Sequence, residues 1–178
     1  MNETVNRDPL AGKLWRIIYW GGAAILLALP ALAMQMSDEV NWGSEDFVFA
    51  AILFTAVGVA LEFTVRKSRD WSYRAAMVGF IGGTFLTFWV NGAVGIIGNE
   101  GLDINTAFNV MALVGIFAAF FVRAQAGKMT AIAGAHALGV LATGLAAEFT
   151  AQPDWGPVLV FAAGWLIVTL MFRAARQA

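Results

Sequence analysis

Six long apolar stretches separated by short polar connections organise the chain, at about 15–36, 47–65, 74–98, 106–122, 129–149 and 156–172. A helix needs roughly 20 apolar residues to cross the hydrocarbon of a bilayer. None of the six shows the strict alternation of a strand, and lipid cannot satisfy free backbone groups, so the pattern predicts helices. The short connections make successive helices antiparallel. The expected fold is all-α, a polytopic membrane protein forming one six-transmembrane-helix bundle over residues 1–178.

Composition strengthens this reading. Hydrophobic residues make up 60% of the chain and charged ones 13%, and mean hydropathy is +0.71, well outside the soluble globular norm. The charges then orient the helices. The basic residues occupy alternate connections: Arg7, Lys13 and Arg16, then Arg66, Lys67, Arg69 and Arg74, then Arg123 and Lys128, then Arg173 and Arg176. The intervening connections hold only acids: Asp38, Glu39, Glu45 and Asp46, then Glu100 and Asp103, then Glu148 and Asp154. Under the positive-inside rule both termini are cytoplasmic and the acidic loops face outward. Trp15, Tyr19, Trp20, Trp42, Trp71, Tyr73 and Trp155 flank the spans as interfacial anchors. Lys13 and Arg16 before an apolar run, with Ala31-Leu32-Ala33 after it, also have the form of a signal peptide. We read that segment as an uncleaved first helix, with Pro30 removing one of its hydrogen bonds.

A faint internal echo bears on architecture. Residues 58–64, GVALEFT, resemble residues 144–150, GLAAEFT, and an Asp-Trp pair follows each copy. One copy ends helix 2 inside and the other ends helix 5 outside, the relation expected of a 3+3 inverted repeat. Helices 1 and 4, and helices 3 and 6, show no matching echo.

The stretch NGAVGIIGNEGLDIN, residues 91–105, is the strongest local anomaly. Glycines fall every third residue, at Gly92, Gly95, Gly98 and Gly101. If helix 3 starts near Arg74, Asn91 is already its eighteenth residue and the core is nearly crossed. Two readings follow. On a continuous helix the glycines form a packing groove for a neighbour. In a broken segment the freed amides and carbonyls surround Asn99, Glu100 and Asn105 and are able to bind an ion or small ligand. The length argument favours a helix ending near Asn91 or Gly92, with the chain folding back against the outer ends of helices 2 and 4. Asn91 then tethers the turn through its side-chain amide.

Further candidates are sparse. Asp38, Glu39, Glu45, Asp46 and Asp103 form a candidate outer acidic cluster of hard oxygen donors, beside a Met34–Met36 pair of soft ones. Their spacing matches no metal motif, and no metal or cofactor is expected. His136, the sole histidine, lies about two turns into helix 5. A histidine among small residues ordinarily hydrogen-bonds across a helix interface, but an ionisable group in a membrane is also a candidate proton carrier. Glu62 stands four residues before Arg66, the spacing of a local ion pair.

Absences narrow the chemistry. There is no cysteine, no Walker loop, and no zinc helix motif. Ser37, Ser44, Ser68 and Ser72 all lie in loops or at helix ends, with no histidine nearby in sequence. No second histidine exists to ligate haem, and no lysine lies inside a span. An enzyme is not expected, and the sparse basic tails exclude nucleic-acid recognition.

The pattern DEVNW at residues 38–42, Asp46-Phe47, Tyr73-Arg74, and Val90-Asn91 followed by AVGIIG and Glu100 resembles an uncharacterised family of small multi-helix bacterial membrane proteins. The resemblance covers about the first six-tenths of the chain. It implies a location in the bacterial inner membrane and supplies no activity. The function expected is that of a non-catalytic integral membrane protein acting through association, as an oligomer or an accessory subunit. The alternative is a small transporter or channel for a cation or small solute, with a site near the segment 91–100; Asn91, Asn99, Glu100 and His136 are the candidate ligand, ion or polar-interior residues. Its partners are membrane lipids, and itself or other membrane subunits.

Overall fold

In a computed structural model, the backbone is described over residues 9–98, 103–150 and 155–177, and the side chains from residue 14 onward. The described residues are all-helical and contain no strand. The helices are α1 (Pro9–Ala33), α2 (Ser44–Lys67), α3 (Trp71–Ala93), α4 (Thr106–Phe121, preceded by a single 3-10 turn at Asp103–Asn105), α5 (Ala126–Ala147) and α6 (Trp155–Ala175). Six helices are long and apolar enough to cross a membrane, as a multi-pass membrane protein requires.

The chain groups into two compact units, Met1–Val59 and Ala60–Ala178, divided within α2. The division gives two helices and four. In the first unit α1 and α2 form a hairpin. Tyr19 donates its hydroxyl to the Phe54 carbonyl at 2.6 Å, and the helices cross at Gly58, where a Cβ would fall 2.7 Å from both Tyr19 and Trp20. Asp46 closes the start of α2 by accepting from the Gly43 amide at 2.9 Å.

In the second unit each helix from α3 to α6 packs on its neighbour in sequence, and α6 closes the ring against α3. Short connections explain that order, since each forces the next helix to return alongside the last. The core face of α3 carries Tyr73, Ala76, Met77, Phe80, Ile81, Thr84, Thr87 and Asn91, a succession of three- and four-residue steps that keeps one stripe inward. Phe108, Ala112 and Gly115 face it from α4, and Val158, Ala162, Trp165, Val168 and Phe172 from α6.

One end of this unit is fixed by polar contacts. Asp70 caps α3 by accepting from the Ser72 and Tyr73 amides at 3.1 and 2.8 Å. Arg74 reaches back to the Val65 carbonyl in the last turn of α2 and to the Ser68 carbonyl just beyond it, at 2.9 and 2.7 Å. These carbonyls lack intrahelical partners, so a cation there satisfies two needs together. Glu62 and Arg66 pair at 2.7 Å, as their spacing predicts. The buried Tyr73 hydroxyl donates to Ala124 at 2.8 Å. It thereby holds the α4–α5 turn, in which Arg123 and Ala124 have φ of 52° and 46°.

Candidate functional site

Helix α3 ends at Ala93, one or two residues beyond the expected Asn91 or Gly92 and well short of 98. The break itself is the expected one, and its geometry is specific. Val94 and Gly95 both donate to the Val90 carbonyl, at 2.9 and 3.1 Å. Gly95 and Gly98 then adopt φ of 76° and 67°, the left-handed region in which a Cβ is costly. The two turns bracket Ile96 and Ile97, which are 1% and 0% exposed. The glycines thus turn the backbone inward and outward again, so that two isoleucines plug the end of the four-helix unit.

Burying that loop strands backbone groups, and two asparagines receive them. The Asn91 Nδ2 donates to the Asn105 carbonyl at 2.8 Å. The Ile96 amide lies 3.4 Å from Asn91 Oδ1 and 3.3 Å from Asn105 Oδ1. The Ile97 amide donates to Asn105 Oδ1 at 3.0 Å, and Asn105 Nδ2 returns a bond to the Ile97 carbonyl at 2.9 Å. Asn91 and Asn105 are 4% and 2% exposed. The Ile96 and Ile97 amides are thus taken by side chains. At Asn91 the site is a structural clasp, which tethers the turn as the length argument anticipates. Asn99 and Glu100, the other candidates in this stretch, lie outside the described residues.

His136 occupies the middle of the four-helix unit. Its Nδ1 lies 2.9 Å from the Ile132 carbonyl one turn earlier, which requires Nδ1 to carry the proton. The ring stacks obliquely on Trp165, centroids 4.4 Å apart, and meets the edge of Phe80 at 6.2 Å. Gly115 of α4 makes room for it, since a Cβ there would fall 2.5 Å from Nε2. That Nε2 and the Oδ1 of Asn109 are buried without a hydrogen-bond partner among the described residues. His136 thus adjoins α4 by shape rather than by the cross-helix hydrogen bond expected of it.

The acidic candidates serve local purposes. Asp46 closes the start of α2, Ser44 donates to Glu45 at 3.3 Å, and both acids lie in the first turn of that helix, where its dipole favours negative charge. Asp38 and Glu39 lie in the exposed turn before it, and Asp103 opens the 3-10 turn. Among the described residues no three His, Cys, Asp or Glu side chains converge as metal ligands would.

Two residues carry more structure than their sequence context signals. Asn105 stands where a helix cap is expected, yet it makes no side-chain bond to its own helix and spends that side chain on the loop. Asn109, one turn further along α4, gives no signal beyond being polar within an apolar span. The class of the chain is thus an all-helical one with six helices fit to span a membrane. Compared with family models, curated proteins and solved structures, the chain matches none.

Proposed function

We propose that this is a multi-pass protein of a bacterial inner membrane, with both termini cytoplasmic, that acts without catalysis through association. It works as a homo-oligomer or as an accessory subunit of a membrane complex. The observation that carries this reading is the filled interior of the four-helix unit. Phe80 meets Trp165, Phe172 and His136 with ring centroids 5.5, 6.5 and 6.2 Å apart, and Tyr73 adds a fourth contact to Phe172 at 6.3 Å. An aromatic plug on the bundle axis suits a scaffold better than a conduit. The outer helix faces, by contrast, carry large apolar side chains such as Ile17, Ile52, Phe117 and Ile167, available to lipid or to other helices. The inner-membrane location draws on the alternating loop charges and on the resemblance of the DEVNW and AVGIIG segments.

A second reading, a small transporter or channel for a cation or small solute, draws on the orphan acceptors of His136 and Asn109. Extraction in a mild detergent followed by native mass measurement separates the two. Association expects a discrete species heavier than the 19.0 kDa chain. A monodisperse monomer without companions would turn the argument toward transport, to be sought as solute flux in proteoliposomes that His136→Ala abolishes.

A further inference from the structure

The four-helix unit has a strongly polar charge distribution along its axis. Tyr73, at the start of α3, touches both Ala124 after α4 and Phe172 near the end of α6, so these three ends lie together. Arg176 brings in the fourth, since a Cβ on Gly127 at the start of α5 would meet its Cδ at 3.4 Å. That end therefore gathers Arg123, Lys128, Arg173 and Arg176, all exposed, and none forms an ion pair among the described residues. The acids on this side are already engaged: Asp70 caps α3 and Glu62 pairs with Arg66. At the opposite end the described charges are Asp103 and Glu148.

Exposed apolar groups lie at the same end. Phe120 and Phe121, 76% and 78% exposed, immediately precede the Arg123 turn, and Trp71, 77% exposed, opens α3. The Trp71 ring suits the boundary between acyl chains and headgroups, where amphipathic rings sit at headgroup level, and the two Phe rings suit the acyl side of it. A protein partner would have to desolvate four long cationic side chains. A lipid headgroup layer meets them at the interface with charge already in place. From this juxtaposition we infer that the Arg123, Lys128, Arg173 and Arg176 end is a binding surface for the headgroups of anionic phospholipids. It holds them beside the α5–α6 corner, where Arg176 lies across Gly127. The inference rests on the membrane-spanning reading and deepens it by naming the lipid class and the residues.

The test uses the full chain reconstituted in nanodiscs of phosphatidylcholine alone or with added phosphatidylglycerol. The readouts are thermal unfolding and the lipids retained in native mass spectra after gentle extraction. Phosphatidylglycerol is expected to raise the Tm and to remain bound in preference to phosphatidylcholine. In the triple variant Lys128→Gln, Arg173→Gln, Arg176→Gln the Tm in phosphatidylcholine should hold while the phosphatidylglycerol increment vanishes. With each cation near an anionic surface contributing roughly fivefold, short-chain phosphatidylglycerol titrated into this variant should bind about a hundredfold more weakly. Inorganic phosphate alone should not reproduce the increment. Equal Tm values in the two lipids, or an increment that the variant retains, would overturn the inference and leave the membrane reading standing. An increment reproduced by phosphate would overturn the lipid assignment. Failure to enter nanodiscs of either composition would overturn the membrane reading itself.

Discussion

Asn105 shows how much one side chain can settle at the residue scale. Its amide both donates to and accepts from the loop backbone, and its own carbonyl receives Asn91. Truncating it would strand the buried Ile97 amide and carbonyl. Each stranded group costs about 1–3 kcal/mol. Asn105→Ala is therefore expected to lower stability by about 2–6 kcal/mol, measured as reversible unfolding in detergent. An unchanged unfolding midpoint would mean that the clasp does not hold the loop. Gly115 offers a contrasting case, in which space rather than polarity is the constraint. Gly115→Ala puts a methyl group against His136 Nε2, and the ring is held from the other side by Ile132 and Trp165. An overpacked core loses about 1–3 kcal/mol. Adding His136→Ala to that variant should recover part of the loss, because residues in contact are coupled. A strictly additive double mutant would show that the two do not press on each other.

At the scale of the element, the connections hold more information than the helices. The α4–α5 turn places Arg123 and Ala124 in left-handed backbone, at a cost of about 1–2 kcal/mol for each side-chain-bearing residue. The turn is kept by the Ala124 amide, which donates to Ala119 at 2.7 Å, and by the Tyr73 hydroxyl on its carbonyl. Tyr73→Phe keeps the ring against Phe172 and removes only that donor. It should destabilise the chain by about 1–3 kcal/mol and increase proteolysis at the turn, read by limited digestion of the purified protein. Resistance equal to the parent's would assign the turn to the helix-end bonds alone.

How far these elements were legible follows from the same physics. Span number and approximate ends were readable because water and lipid differ so sharply in their tolerance of charge. The break in α3 was readable from length, and its tether from the Asn91 amide at its end. Asn105 was not, because a bond from side chain to backbone across eight or nine positions leaves no periodic trace. Nor was the division into a hairpin and four helices. On α4 the outward Val110, Leu113 and Phe117 are as apolar as the buried Phe108 and Ala112. Lipid removes the polar face by which a soluble helix would declare its inner side.

For the whole molecule, the question is which way the two charged ends point. Arg69, Arg123, Lys128, Arg173 and Arg176 carry one end of the four-helix unit, and Asp103 and Glu148 the other. Lys and Arg close to the span ends bias a loop toward the cytoplasmic side, whereas Asp and Glu contribute little to orientation. The basic end should therefore stay cytoplasmic. The absence of native cysteine permits a direct reading with single introduced thiols. In intact cells Ser44→Cys and Asp103→Cys should react with an impermeant thiol reagent, while Ser68→Cys and Gln125→Cys should react only after the cells are opened. Placing Lys residues at both Asp103 and Glu148 weakens the asymmetry from the outer side and should produce a mixed population, visible as partial labelling at Gln125→Cys. Labelling of Ser68→Cys in unopened cells of the parent background would reverse the orientation. The anionic-lipid surface would then have to be sought on the opposite leaflet.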